Sequence, residues 1–158
     1  MKKILLLLAA IMMTAMSMGL SSCAEKEEGE DDADWVLRNT INGPAWHVEQ
    51  IKKSDGTWST WSDAAIFYFW VKFSASNHNF NSEKFYYVDG EADEATREVY
   101  NSSTDNTAYT IRNAKIIEGT VNGEPYFRIS LTQKVTSVME CTLYFYKENK
   151  TYEVRMTR

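Results

Sequence analysis

Four side chains in the sequence are reactive enough to suggest chemistry: those of His47, His78, Cys23 and Cys141. Metal centres and nucleophile–base pairs usually draw on more histidine and cysteine than this. The motifs typical of serine hydrolases, zinc proteases, phosphate-binding loops and Ca²⁺ loops do not occur in the chain. The sequence therefore predicts no catalytic residue, no metal site and no cofactor, and both histidines are expected on the surface.

Cys23 follows a stretch whose order of side chains is distinctive. Lys2 and Lys3 precede an uncharged, largely apolar run from Ile4 to Leu20, and two serines come next. This order is typical of a secretory signal peptide. The alternative is a membrane-spanning anchor, for which about 17 apolar residues is the lower limit. The small residues at the end of the run favour cleavage.

Leu20-Ser21-Ser22-Cys23 resembles the lipobox of bacterial lipoprotein precursors. In such precursors the signal peptidase cuts before the cysteine, whose sulfur carries a diacylglycerol and whose new amine is acylated. Several acyl chains, each CH₂ contributing about 0.8 kcal/mol on burial, hold a protein on a membrane almost permanently. We therefore predict a signal peptide over residues 1–22 and lipidation of Cys23. Cys141 would then lack a disulfide partner and is interpreted as a small core residue.

Charge is concentrated directly behind Cys23. Residues 24–34, AEKEEGEDDAD, hold seven acidic residues and one basic residue, whereas residues 35–158 hold 15 and 14. Residues 23–34 are therefore expected to form an acidic, disordered and extended tether. The run also resembles the surface-export signal of lipoproteins from Bacteroidetes-type bacteria, with a solvated spacer as the alternative. Because the remainder is nearly neutral and has no basic patch, nucleic acid is not an expected partner.

Residues 35–158 form one domain in this interpretation, preceded by a short helix. DADWVLRNTI suggests that helix, which Asp32 or Asp34 caps and Asn42-Gly43-Pro44 ends. Eight segments rich in β-branched and aromatic residues follow and are predicted to be strands. They are residues 46–53, 64–74, 80–88, 107–112, 115–121, 125–132, 138–146 and 152–157. The polar residues 91–106 are interpreted as a connection that can include a helical turn.

Alternation of apolar and polar residues indicates that each of the last three strands buries one face. The inward residues are Phe127, Ile129 and Leu131, then Met139, Cys141, Leu143 and Phe145, and finally Tyr152, Val154 and Met156. Short connections predict antiparallel neighbours, and eight strands can remove their edges by closing into a barrel. The expected fold class is all-β, an eight-stranded antiparallel up-and-down barrel, with a β-sandwich as the alternative.

Several stretches resemble the lipocalin-like (calycin-type) lipoprotein domains of Bacteroidetes-type bacteria. They are NGPAWHVEQIKKSDGTW, VKF at 71–73, TAYTIRNAKII, VNGEPYFRISL, VMECTLYFY and TYEVRMT. The first matches the opening strand and turn of that family, and the last two match its barrel-closing strands. True lipocalins open with Gly-x-Trp, whereas Gly43-Pro44-Ala45-Trp46 has one residue more. The resemblance implies a barrel with Trp46 at its base and an interior that holds one small ligand or is filled by side chains.

Aromatic residues supply the candidate ligand contacts. Trp58 and Trp61 lie in GTWSTWSD, a Ser/Thr-rich connection. Two arrangements are expected: either they serve a ligand, by stacking on a sugar ring or closing over the barrel mouth, or they fold back onto the core or the sheet exterior. Phe69, Val71 and Tyr109 are predicted to point into the interior. These five residues form the predicted ligand site.

A second group of aromatic residues is predicted to face outward. Tyr144 and Tyr146 form the predicted partner surface, and Tyr68 and Trp70 would extend it if all four were exposed together. The resulting hypothesis is a non-enzymatic, lipid-anchored binding protein of the cell envelope. It would hold a small apolar ligand in the barrel mouth, or a glycan or protein on its aromatic surface. The alternative is an inhibitor or accessory subunit that acts through a protein interface. The location would be the outer membrane, facing the cell surface or otherwise the periplasm.

Overall fold

The computed structural model describes residues 24–59, 66–135 and 137–158, and this part of the chain contains one helix and nine strands. The elements are α1 (Asp32–Ile41), β1 (Trp46–Ile51), β2 (Phe67–Ser74), β3 (Asn79–Val88), β4 (Glu91–Tyr100), β5 (Thr107–Arg112), β6 (Ile116–Val121), β7 (Glu124–Val135), β8 (Val138–Phe145) and β9 (Lys150–Thr157). The predicted segments and the observed strands differ mainly at their ends, apart from β4.

All nine strands belong to one antiparallel sheet with the order β4-β3-β2-β1-β9-β8-β7-β6-β5. The sheet curls until β5 reaches the edge of β3. There the Tyr109 amide donates to the His78 carbonyl oxygen at 2.9 Å, and the Thr107 hydroxyl donates to the Phe80 carbonyl oxygen at 2.7 Å. A single sheet that nearly closes on itself is a barrel rather than a sandwich.

The strand β4 corrects the predicted number of strands from eight to nine. It occupies residues 91–100, which the sequence analysis interpreted as a polar connection. Its acidic and small residues have low β propensity, and most of its side chains are exposed. It pairs with Ser82–Val88 of β3, whereas the start of β3 meets β5 instead. Charged side chains on such an edge discourage pairing with other chains.

The barrel interior is filled by side chains that alternate along the strands. The inward residues predicted for β7, β8 and β9 are all buried, apart from Tyr152, which is partly buried. Aromatic rings occupy the middle of the barrel, with Phe69 at 5.7 Å from Phe127 and 5.2 Å from Phe145 between ring centroids. Phe127 packs so closely on Gly119 that a Cβ atom there would overlap its ring. The glycine is therefore required by packing.

The helix α1 lies at one end of the barrel, called here the base. It covers the predicted residues, but its N-cap is Asp31, whose carboxylate accepts from the Ala33 amide at 2.8 Å, rather than Asp32 or Asp34. At the base the Trp46 indole N–H donates to the Ile41 carbonyl oxygen at 3.0 Å. Arg158 lies over the Trp46 ring, 4.8 Å from its centroid. Trp46, the first residue of β1, is therefore contacted both by the end of α1 and by the residue that follows β9.

Candidate functional site

The predicted partner surface is a group of contacting side chains on the outside of the barrel, at the end of β8. The Tyr144 and Tyr146 rings meet edge to face at 4.8 Å, and the Arg128 guanidinium lies 5.2 and 5.9 Å from their centroids. The Tyr144 hydroxyl donates to Asn149 Oδ1 at 2.8 Å, and the Tyr146 hydroxyl donates to Glu118 Oε2 at 3.1 Å. Burial and the hydrogen bond to Glu118 raise the pKa of Tyr146. Two half-buried tyrosines and one cation are therefore held in a fixed arrangement.

The other outward aromatic residues form a separate group. Tyr68 stacks on Phe85 at 4.8 Å, and the Trp70 indole N–H donates to Glu83 Oε2 at 3.1 Å. Both residues lie on β2, and β1 and β9 separate β2 from β8 in the sheet. The four outward aromatic residues therefore do not join into one patch.

Trp58 lies on the outside of the barrel, where it is half buried. It pairs with Lys52 in an isolated bridge, and the Arg155 guanidinium lies 4.5 Å from its ring centroid. The ring has folded back onto β9, which was one of the two arrangements expected for it. Trp61 and the predicted lipidation site, Cys23, lie outside the described residues.

The predicted interior contacts are buried in the packed core. Phe69 and Val71 are completely covered, and Tyr109 is 2% exposed. The Tyr109 hydroxyl donates to the Ser74 carbonyl oxygen at 3.2 Å, and burial raises the pKa of Tyr109 to about 12. Burial likewise raises the pKa of Cys141 to about 12. As the structure stands, these groups are core residues rather than the wall of a cavity.

The two histidines differ in their surroundings. His47 is exposed beside Trp70, with 6.4 Å between the ring centroids. His78 is half buried, takes a left-handed φ of 51°, and stacks on Tyr109 at 5.8 Å. Its Nε2 atom lies 3.1 Å from Glu27 Oε1. No group of three or more histidine, cysteine or acidic residues in the described ranges could hold a metal ion.

Arg38 is the buried charge of the base. Its guanidinium donates to Glu30 Oε1 at 2.8 Å and Oε2 at 2.6 Å, to the Ala75 carbonyl oxygen at 2.6 Å and to the Glu25 carbonyl oxygen at 2.8 Å. The hydrogen bonds to Arg38 hold the pKa of Glu30 below its usual range. Residues 24–31 therefore lie against α1, an arrangement that the sequence analysis did not anticipate.

Lys84 is the buried charge of the opposite end, called here the upper end, which also contains the β8–β9 turn at residues 146–149. Its side chain is completely buried and forms ion pairs with Glu148 and with Glu98, the latter at 2.8 Å. Lys147 pairs with the other Glu98 oxygen at 2.6 Å. Three aromatic rings surround the Lys84 ammonium, those of Phe145 at 4.6 Å, Tyr86 at 5.5 Å and Tyr126 at 5.7 Å. Burial opposes ionisation of Glu98, but its two lysine partners outweigh this and lower its pKa.

Several polar atoms around Lys84 have no hydrogen-bond partner among the described residues. They are the hydroxyls of Ser82, Tyr86 and Tyr126, and one oxygen each of Glu98 and Glu148. The Tyr126 hydroxyl lies near that of Ser82, and the Tyr86 hydroxyl lies near that of Tyr152, close enough for each contact to shift a tyrosine pKa. In neither pair is the geometry of a full hydrogen bond reached. Burial raises the pKa of Tyr86 and Tyr126. The upper end is therefore a polar site inside an aromatic barrel.

The sequence analysis missed this site, although the sequence contains a signal for it. Phe80 is the first inward residue of β3, and alternation then places Ser82 and Lys84 inward as well. A lysine in an inward position is rare unless it is paired. Its partners come from β4 and from the β8–β9 turn, so spacing along the chain could not have identified them.

The chain was compared with known families, curated proteins and solved structures. No family model, no curated protein and no solved structure matches it. Within the described ranges, none of the helical residues forms a segment long and apolar enough to span a bilayer.

Proposed function

We propose that this chain is a lipid-anchored, non-enzymatic binding protein of the cell envelope whose partner is a protein that docks on β8. The supporting observation is the fixed group formed by Tyr144, Tyr146 and Arg128, with both hydroxyls already held by hydrogen bonds. Because these side chains are ordered in the free protein, little side-chain entropy is lost when a partner covers them.

The composition of this group favours a protein over a glycan. Tyrosine and arginine are enriched among the residues that dominate the binding energy of protein interfaces. The edge-to-face arrangement of Tyr144 and Tyr146 also leaves no pair of coplanar rings on which a sugar could lie flat. A glycan remains the second kind of surface partner to test.

The version with a small apolar ligand in the barrel has less support. Phe69 and Val71 are covered completely by neighbouring side chains, and the rings of Phe127 and Phe145 occupy the space between the strands. A ligand would have to displace several aromatic rings, each of which contributes about 1.5–3 kcal/mol through its burial.

The anchor and the location are proposed from the sequence. The lipobox at residues 20–23 supports lipidation of Cys23, and the acidic run after it supports exposure on the cell surface rather than toward the periplasm. The lipocalin-like relationship is likewise part of the proposal. It is supported by the antiparallel barrel and by Trp46 at the base, whereas the ninth strand departs from it.

The experiment is site-specific photocrosslinking in the intact envelope, with the crosslinking residue at position 144 or 146. We expect one defined protein to be crosslinked from these positions and to be lost when Arg128 is changed to alanine. The matched control places the crosslinker at position 68 or 87, on β2 and β3. The proposed protein interface is wrong if all four positions capture the same proteins. It is also wrong if changing Tyr144 or Tyr146 alters binding to a glycan array but not to a protein.

An inhibitor or accessory subunit would use the same surface. The crosslinked partner distinguishes the two functions, because an enzyme partner would change its activity on binding, whereas an anchored receptor would leave its partner's activity unchanged.

A further inference from the structure

Packing alone gives no reason for a lysine at position 84. A buried ion pair usually stabilises a protein no more than apolar side chains of similar volume would, because both charges must leave water. Lys84 lies among aromatic rings, where a methionine or leucine would fit chemically. The ammonium group therefore calls for another explanation, and its surroundings supply one.

Buried polar atoms without full hydrogen bonds converge around Lys84, and they include three hydroxyls and one oxygen each of Glu98 and Glu148. The hydroxyls of Ser82, Tyr86 and Tyr126 are buried and unpartnered among the described residues, and Ser82 and Tyr126 are 0% and 6% exposed. Burying a hydroxyl without a hydrogen-bond partner costs free energy of folding. A native structure recovers that cost with ordered water or with polar atoms of a ligand. Three hydroxyls and one ammonium group are all donors, and a carboxylate only accepts.

One acceptor at this site is carried by a connection between two strands. Glu148 belongs to the β8–β9 turn rather than to a strand, and its neighbour Asn149 has a φ of 53°. Its side chain is 20% exposed, whereas Glu98 lies on β4 and is 11% exposed. Glu148 can therefore leave Lys84 without breaking any strand pairing, while Glu98 stays with Lys84 and Lys147.

A cleft beside the cluster offers space for the rest of a ligand. It has a volume of about 360 Å³ and opens along the seam where β4 faces the β6–β7 hairpin. Tyr100, Tyr126, Val121 and Pro125 supply its apolar wall, Glu124 and Lys147 also line it, and Glu98 links it to Lys84. Tyr100 and Tyr126 meet edge to face at 4.8 Å. A compact aromatic or aliphatic group fits the chemistry of this wall.

We infer that the upper end of the barrel is a binding site for a small organic carboxylate. The ligand carboxylate takes the place of Glu148 at Lys84 and accepts hydrogen bonds from Ser82, Tyr86 and Tyr126. Its apolar part lies in the seam cleft. In the free protein Glu148 occupies the carboxylate position, and binding requires the turn to open. This site differs from the proposed partner surface, although both include residues of the β8–β9 turn: Glu148 here, and Tyr146 and Asn149 there.

The mechanism predicts the effect of removing the internal carboxylate. If the closed turn competes with the ligand, the apparent affinity is lowered by the fraction of molecules that are open. Glu148→Ala removes the competitor and should tighten binding about tenfold. Lys84→Met removes the cation and should abolish binding. Tyr126→Phe should weaken binding severalfold while leaving the barrel intact.

The experiment is calorimetric titration of the mature protein with 4-phenylbutyrate, and with 4-phenylbutan-1-ol as the uncharged probe. The matched control variant is Glu153→Ala, which removes a glutamate from an exposed pair with Lys52. We expect the carboxylate to bind more tightly to Glu148→Ala than to the unchanged protein or to Glu153→Ala, and the alcohol to bind to none of them. Circular dichroism confirms that each variant is folded.

Three results would overturn the inference. The acid and the alcohol could bind equally well, Glu148→Ala could bind the acid no better than the control variant, or the acid could fail to bind Glu148→Ala at millimolar concentration. In each case the hydroxyls around Lys84 would form hydrogen bonds to ordered water and not to a carboxylate ligand. Should Lys84→Met fail to fold, the comparison of Glu148→Ala with Glu153→Ala still decides the matter.

Discussion

The two ends of the barrel contain buried charge in different ways. At the base, Arg38 donates to both oxygens of Glu30 and to two backbone carbonyl oxygens. At the upper end, Lys84 pairs with two carboxylates while three nearby hydroxyls have no partner among the described residues. The base satisfies the charge it buries, and the upper end leaves donors unused. The first arrangement suits a permanent contact and the second suits an exchangeable one.

The same contrast applies to the chain segments that carry the partners. Glu30 and Glu25 precede α1 and fix the acidic segment against the barrel. Glu148 lies in a turn between two strands, where its departure leaves the sheet intact. Loss of the ion pair should therefore be costly at the base and nearly neutral at the upper end.

The largest effect is expected from Arg38→Met. Removing one partner of a buried pair leaves an uncompensated charge, and the free energy of unfolding should fall by about 3 kcal/mol. Changing Glu30 to glutamine as well should recover only part of this loss, because the carbonyl oxygens of Ala75 and Glu25 still lack their donor. Urea unfolding measures the change, and limited proteolysis should show faster cleavage within residues 24–31.

The pH dependence of this variant provides its control. Arg38 lowers the pKa of Glu30 in the folded state below the ordinary value of 4.5. The pair therefore stabilises the protein above that pH, and the stabilisation is lost as the pH falls through the folded-state pKa. The stability difference between the unchanged protein and Arg38→Met should shrink below pH 4.5. A difference that stayed constant into acid would show that Arg38 acts through packing alone.

The fold was more predictable than the charges at either end. Alternation identified the inward faces of β7, β8 and β9, because side-chain direction in a strand has a period of two. The strand β4 escaped prediction because its side chains are mostly exposed and it pairs only with β3. A strand that buries little apolar surface leaves no apolar pattern in the sequence.

Site residues were predictable only where their neighbours are local. Tyr144 lies on β8 and Tyr146 directly follows its last residue, so their common face follows from continued alternation. Arg128 meets them because the β7–β8 register places it opposite Tyr144. Lys84 meets Glu148 across 64 positions of the chain. Such contacts depend on the register of the whole barrel, which no short pattern specifies.

A smaller effect is expected from Lys84→Met combined with Glu148→Gln. Glu98 keeps Lys147 as its partner, and the new methionine packs against the rings that surrounded the ammonium group. Replacing a buried ion pair with apolar groups is often neutral or stabilising. The free energy of unfolding should rise by about 1 kcal/mol or stay unchanged. A loss comparable with that of Arg38→Met would mean that the upper end is as much a permanent contact as the base.

The smallest effect, and the sharpest comparison, comes from removing one buried hydroxyl at each end. Tyr109 at the base donates to the Ser74 carbonyl oxygen, so Tyr109→Phe should cost about 1 kcal/mol. Tyr126 at the upper end has no full hydrogen bond among the described residues, so Tyr126→Phe should not lower the stability and should raise it by up to about 1 kcal/mol.

Alkaline pH tests the same pair of variants. Burial raises the pKa of both tyrosines above the ordinary value of 10.0. The folded protein therefore holds these two protons more tightly than the unfolded chain does. The stabilisation is complete below pH 10.0 and is lost as the pH rises through the folded-state values. Each phenylalanine variant removes one such proton, so both should lose stability less steeply than the unchanged protein above pH 10.0, as measured by urea unfolding across the alkaline range. If Tyr109→Phe and Tyr126→Phe lowered the free energy of unfolding equally at neutral pH, the Tyr126 hydroxyl would have a hydrogen-bond partner as that of Tyr109 does. The proposed difference between the two ends would then be wrong.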